Sequence, residues 1–466
     1  MAKHFSRSQE QRYHLLAGLP VDAQVRAVSL AMVRRLAEEL LESESEPLAR
    51  GTLIAFRQFD YLASAERDVY ECQRRIVLED SDSSRITPQG MQPRLYREKS
   101  AARRQQIAQW WADQSEQVAE AATRRRSALW EMAQELGLDP LSDFLTTEAL
   151  DLETIRHTIE SIALRCGSLF QSTFDALRER EYGQELAEPW VDLWALFLPT
   201  APLPTSLSPS ETFRRLADGM GFATSSISID EEARPEKAPI PTVVPVGPGD
   251  IRVAFQPLGA LADLRALLHE CGHALHYSCM DQTLLPPDRR PSAGAAEVHS
   301  YLLQTLLLQR DFLEGFLQCP TSAVDDALTV ERFFNVRMLV HFSAAALTTI
   351  EFWTRGPLSQ QVLEETYAEH LSRFTNIEFP ALTARTPYPA HSQHAFTANV
   401  HSLGYPLGYA RVGWLLEQLE LADAPWWGNA DAVQSIVTPH MRTGRNTTFP
   451  LEALSVDRWA ERLSSV

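Results

Sequence analysis

Apolar residues recur at three- and four-residue spacing along most of this chain, a pattern that predicts helices rather than strands. Residues 21–46 and 48–76 both carry it, the first closed by a charged run and Pro47, and both read as packed bundle helices. From Leu95 to Leu138 a long charged segment has too few apolar positions for a fully buried helix, which predicts one or two exposed helices. Arg124, Arg125 and Arg126 within it read as a solvated face, because acidic residues flank them on both sides. Helical periodicity continues through 146–181, until PTAPLPTSLSP, from Pro199 to Pro209, breaks it with four prolines. Such a break marks a domain boundary or a surface crossing.

Between about 234 and 257 the texture changes to β-branched residues and prolines around the turn signal Gly247-Pro248-Gly249-Asp250. A short hairpin is predicted, Thr242–Val246 with Ile251–Gln256, leading into the next helix. Helical patterns resume to about 318, then over 324–355 and 359–374, before a looser segment from Thr383 to Leu419. No internal repeat is visible. The expected fold class is therefore mainly α with one small β element, divided into an N-terminal helical region, 1–200, and a second region, 201–466.

The 466 residues are 44% hydrophobic, enough for a large core in one big domain or two or three lobes. A net charge of −18 argues against a nucleic-acid partner, which needs a basic face, and reads mainly as surface solubility. MAKHFSRSQEQRYHLL has no apolar signal core, and no stretch of about 18 uninterrupted apolar residues occurs, so a soluble cytoplasmic protein with no membrane partner is expected. Five irregularly spaced cysteines read as reduced thiols.

One stretch dictates a chemistry. In DLRALLHECGHALHY, Asp263 to Tyr277, His269 and His273 lie four apart and leave a helix on the same face, so two imidazoles can reach one ion. Glu270 flanks that face, placed to touch a water beside the metal without being a ligand; H-E-x-x-H is a zinc-hydrolase signature with that mechanism inside it. A catalytic zinc needs a third protein ligand and one open position. A metzincin arrangement would need glycine at 276 and histidine at 279, where this chain has His276 and Cys279. The next helix-like segment carries Glu297, 28 residues beyond His269 and after a loop long enough to turn the chain back. Glu297 is the expected third ligand, with Gly272 allowing close helix packing.

HECGHALHY followed by AEVHS resembles the catalytic core of the thimet oligopeptidase and oligoendopeptidase F family of zinc metallopeptidases, and the resemblance runs from about 235 to 460. It implies a two-lobed, mostly helical fold with a deep cleft, one zinc ion per chain, and hydrolysis of short peptides by a metal-activated water with Glu270 as general base. It also implies that His401, Tyr405 and Tyr409, in HSLGYPLGYA, hydrogen-bond the substrate carbonyl and oxyanion, and that Val253, Ala254 and Phe255 hold substrate backbone along a strand edge. His276 would support the site from outside the metal's ligands. Three positions depart from the family: the His-to-Tyr spacing is one residue shorter, Val412 replaces a tyrosine, and Gln304 replaces a glutamate that supports a zinc histidine. A zinc carboxypeptidase using Arg385, Arg411 or Arg445 for the terminal carboxylate is an alternative, as is a helical peptide-binding protein without turnover.

Overall fold

The computed structural model describes residues 2–19, 72, 76, 78–79, 85–86, 88–135, 137–196, 201, 207–234, 237, 241–257, 261–281, 283, 291–386, 399–421, 425–444, 447, 449–454 and 456–465. The helices expected over 21–46 and 48–76 lie almost wholly outside them. The described chain is mainly helical with a three-stranded sheet and a two-stranded ladder, and it divides into two compact units. The first gathers 1–60, 201–328 and 408–458; the second gathers 61–200, 329–407 and 459–466. Residue 200 is thus one crossing between units, whereas the expected division was contiguous. A proline-rich break marks where a chain leaves a unit, but only packing decides which pieces return to it.

The described strands are β1 (Leu78–Glu79), β2 (Arg85–Ile86), β3 (Ile227–Asp230), β4 (Thr242–Gly247) and β5 (Asp250–Ala254). β1 and β2 form a two-rung antiparallel ladder in the second unit. β4 and β5 form the hairpin expected from the sequence, with Val243 opposite Val253, and β3 adds parallel to the far edge of β5. β5 is therefore the central strand.

In the first unit the helices that frame the sheet and the HECGH stretch are α1 (Ala2–Leu16), α2 (Pro209–Gly219), α3 (Leu261–Cys279), α4 (Ala293–Gln304) and, from Gly408 onward, α5 (Gly404–Glu420). α1 docks on the sheet: Tyr13 and Ala17 bury against Val244, Val246 and Ala254. The Tyr13 hydroxyl donates to Asp230 at 3.4 Å, and the Arg252 guanidinium lies 5.3 Å from its ring centroid. α3 buries Leu264, Leu267, Leu268, Cys271, Ala274 and Leu275 on its inner face. It packs against α4 at Gly272, where a Cβ would stand 2.3 Å from the His299 carbonyl oxygen and 2.5 Å from Ser300 Cα.

The second unit corrects two expectations. Pro88–Arg97, Ala101–Gln114 and Glu116–Glu135 are three helices, and they are not merely exposed: Ile107, Ala108, Trp111, Ala112, Val118, Ala122, Leu129 and Met132 are buried. Alanines carry much of that stripe, which makes it weak on a hydropathy scale. Arg125 and Arg126 are also buried rather than solvated. Arg126 donates to Thr123 Oγ1 at 2.9 Å and to Gln360, so its charge is lodged among hydrogen-bond partners. Arg104, wholly buried, is met by Asp192, also wholly buried, at 3.0 Å. Thr321–Arg355 is long and apolar enough to cross a membrane by length and composition, yet 94% of its most apolar window is buried inside the fold, as in a core helix.

Two tests follow from these contacts. Gly272→Ala forces a methyl into backbone that has no room to yield, so a loss of about 3 kcal/mol is expected in denaturant unfolding; an unchanged midpoint would contradict the close approach. Tyr13 has its phenol pushed up to about 12, by burial first and by the Asp230 charge second. Because the folded value is the raised one, its contribution is complete below the ordinary value of 10.0 and is lost as pH climbs through that window. The melting temperature should therefore fall more steeply above pH 10 in wild type than in Tyr13→Phe; parallel curves would contradict the docking described for α1.

Candidate metal centre

The site is assembled from α3 and α4, with α5 behind α4. On α3 the i, i+4 spacing brings His269 and His273 to 5.0 Å between ring centroids. α4 starts at Ser292, whose hydroxyl accepts from the Ala295 N–H at 3.2 Å, and its second turn carries Glu297. Glu297 Oε2 lies 3.6 Å from His269 Nε2 and 3.7 Å from His273 Nε2. Among the described residues, these three form the group whose ligand atoms all lie within 4.8 Å of one another.

Zinc with nitrogen and oxygen ligands at about 2.1 Å in a tetrahedron spaces those atoms about 3.4 Å apart, so the three side chains fit such an ion with little movement. The donor set is also chemically apt: two imidazoles and a carboxylate, leaving a fourth position. The His269 and His273 side chains keep 20% and 13% exposure, whereas the Glu297 side chain keeps 3%.

Further contacts hold the ligands in place. Ser300 Oγ donates to Glu297 Oε2 at 3.2 Å, and His269 Nδ1 meets Gln304 Oε1 at 3.0 Å. The Gln304 amide oxygen can accept from the imidazole N–H there without bringing a charge. Burial pushes the His269 pKa down while Glu297 and Gln304 oppose it, which favours the neutral ring a metal needs. Tyr301, one turn beyond Glu297, sets its ring 5.4 Å from His269 and stacks on Tyr409 at 3.9 Å.

Glu270 stands beside the group and outside it. Its Oε2 accepts the Val243 N–H of β4 at 2.9 Å. Its pKa is pushed up to about 8, by burial first and then by the Glu297 charge, against the pull of that N–H. Burial and the neighbouring charge thus favour its protonated form in the absence of a cation.

The remaining expected residues divide. Tyr409 is wholly buried, its ring stacked on that of Tyr301 at 3.9 Å, and so lies in the surroundings of the His269–His273–Glu297 group. His401 and Tyr405 belong to the second unit, where Tyr405 is partly exposed, stacks on Phe342 at 4.1 Å and meets the exposed His401 ring edge-on at 5.9 Å. His276 is buried with its Nδ1 3.1 Å from Nδ1 of His299, a pair separate from the ligand group. Arg385 has its guanidinium engaged by Glu364 at 2.9 Å and by Glu116 at 2.6 Å; Arg411 is buried, its guanidinium 5.2 Å from the Phe449 ring centroid, and Arg445 lies outside the described residues.

Val253, Ala254 and Phe255 require a correction. They are buried, and β5 is paired on both edges, with Val253 opposite both Ile229 and Val243; the Phe255 N–H donates to the Asp230 carbonyl at 3.0 Å. Their backbone has no edge to offer a peptide. β3 takes it, and ISID is too short for its alternation to announce a strand. The sheet's edges are β3 and β4; in β4 Val243 turns its N–H away from β5 and Pro245, two residues on, has no N–H to leave unpaired.

Sequence reasoning missed Val243, Tyr301 and Gly408. The spacing of four from Glu297 was a signal for Tyr301. A Cβ at Gly408 would stand 2.5 Å from Glu297 Cβ and 3.1 Å from the Tyr301 ring, so α5 presses on the third ligand itself. Gly408→Ala is expected to displace the Glu297 carboxylate and weaken zinc uptake about 10-fold in equilibrium dialysis; wild-type uptake would contradict this packing. No protein-family model matches this chain, and no curated protein sequence matches it either.

Proposed function

We propose that the chain is a zinc-dependent endopeptidase that hydrolyses short peptides. The observation that carries this is the meeting of His269, His273 and Glu297 with a fourth side chain, Glu270, held beside them on the Val243 N–H and outside the ligand group. A purely structural zinc site has no use for such a base. When bound, zinc supplies a Lewis acid that makes water a nucleophile near neutral pH. Glu270 accepts the proton of the attacking water at its carboxylate and delivers it to the departing amine. Val243 fixes the carboxylate's direction for both transfers.

Five unbridged cysteines and a net charge of −18 support a cytoplasmic setting.

The test uses purified protein, metal analysis and a quenched fluorescent peptide of about ten residues. One zinc per chain, internal cleavage, and loss of cleavage on chelation with recovery on adding zinc are expected. Glu270→Gln should keep its zinc and lose about 10³-fold in kcat/KM. Absence of zinc from the wild type, or cleavage that survives in Glu270→Gln, would overturn the assignment; release of C-terminal residues alone would establish a carboxypeptidase instead.

A further inference from the structure

α1 meets the sheet along one stripe, Ser6, Glu10, Tyr13 and Ala17, spaced four, three and four residues apart so that all leave the helix on one side. The Ala17 N–H still bonds the Tyr13 carbonyl at 2.8 Å, which keeps that last residue in line. Each has a counterpart. A Cβ at Gly247 would stand 3.2 Å from Ser6 Oγ, Glu10 Oε1 lies 3.5 Å from the Arg252 guanidinium, the Tyr13 hydroxyl donates to Asp230, and Ala17 packs with no exposed surface into the cluster it shares with β4 and β5. The Ala17 carbonyl accepts from Arg234 Nη1 at 2.9 Å, and the same nitrogen donates to Asp230 Oδ2 at 2.7 Å. A guanidinium thus closes the C-terminal end of α1 and ties it to the end of β3.

What α1 covers is the strand that holds Glu270. Alternation along β4 puts Val244 and Val246 under α1, in one cluster with Tyr13, Ala17 and Ala254, while Val243 between them and Thr242 sends its N–H to Glu270 Oε2 at 2.9 Å. Among the described residues, the partly buried members of that cluster are Leu16 and Leu19, from the end of α1 and just beyond it. The His269–His273–Glu297 group has another foundation: it stands on α3 and α4, pressed together at Gly272, and α1 supplies none of its atoms. The place of the Val243 amide therefore depends on α1, and the place of the three ligand side chains does not.

Resting on the endopeptidase reading above, we propose that α1 is a strap that sets the direction of Glu270: seated, it holds β4 where the Val243 N–H meets the carboxylate; lifted, it leaves the His269–His273–Glu297 group intact and the base undirected. Tyr13, Ala17 and Arg234 are its positioning residues. A helix held by few buried apolar side chains, with hydrogen bonds and an ion pair at its margins, belongs to the part of a fold that opens locally at low cost. Catalytic competence can then be lost and regained without dismantling the metal centre.

The test reads α1 and the Val243 amide by hydrogen exchange, the metal group by zinc affinity, and the base by steady-state cleavage, all on the full chain. Ala17→Glu puts a carboxylate where no surface is exposed, so α1 cannot stay seated. Faster exchange in α1 and at Val243, unchanged exchange in α3 and α4, unchanged zinc affinity, and a kcat about 10-fold lower at nearly constant KM are expected. In a Glu270→Gln background the same substitution should cost nothing further in kcat, because both changes act through one carboxylate; a general weakening of the unit would lower both backgrounds alike. Arg234→Ala, which cuts the tie to Ala17 and leaves the buried cluster whole, should move each readout the same way by less. An α1 that stays protected in Ala17→Glu, a lifted α1 with a protected Val243 amide, a fall in zinc affinity, or equal losses in both backgrounds would overturn the proposal. Should Ala17→Glu not fold, Arg234→Ala decides alone: any result other than faster exchange in α1 and at Val243 together overturns it. A wild type that takes up no zinc and cleaves no peptide would refute the endopeptidase reading while the exchange results stood, a different failure.

Discussion

A carboxylate withdrawn from water must be met by donors or by positive charge, and Glu297 is such a carboxylate, buried where α3, α4 and α5 meet. Ser300 provides one hydroxyl, and two imidazoles face the same oxygen at 3.6 and 3.7 Å. A dication among these atoms would balance the buried charge and the neighbouring Glu270 carboxyl together. Without glycines at 272 and 408 the three helices could not come close enough to build that environment, since in both places the nearest atoms are backbone or the first atom of a ligand side chain. Close packing and electrostatics are here one constraint: the distance that lets Glu297 reach the histidines is set by two missing methyl groups.

The meeting of His269, His273 and Glu297 was legible in the sequence because it obeys local rules. Four residues on a helix make one face, so His269 and His273 had to be neighbours, and Glu297 sat at the start of the next helix. Gln304, seven beyond Glu297, belonged to the same face. The hairpin was equally local, since its turn and its alternation lie within a dozen residues.

What the sequence hid was non-local. β3 joins β5 from twenty residues upstream with only four residues of its own, and its arrival turns an assumed edge into the middle of a sheet. The substrate-facing role drawn for Val253, Ala254 and Phe255 fails on that one pairing. Arg125 and Arg126 looked solvated because charge patterning says nothing of the partners a distant helix brings; Gln360 lies 234 residues away from Arg126. Tyr409 matched a tyrosine of the resembling pattern, and nothing in HSLGYPLGYA announced that it would be wholly buried with its ring stacked on Tyr301. A motif fixes which residue type is present, whereas packing decides what its polar atom meets.

The most direct measurement is zinc-edge X-ray absorption on the wild-type protein loaded with one equivalent of zinc. Two imidazole nitrogens and a carboxylate oxygen at about 2.0–2.1 Å, with one further light atom, are expected. A shell containing sulfur, a six-oxygen shell like that of the hydrated ion, or a shell unchanged by Glu297→Ala would contradict the centre described here.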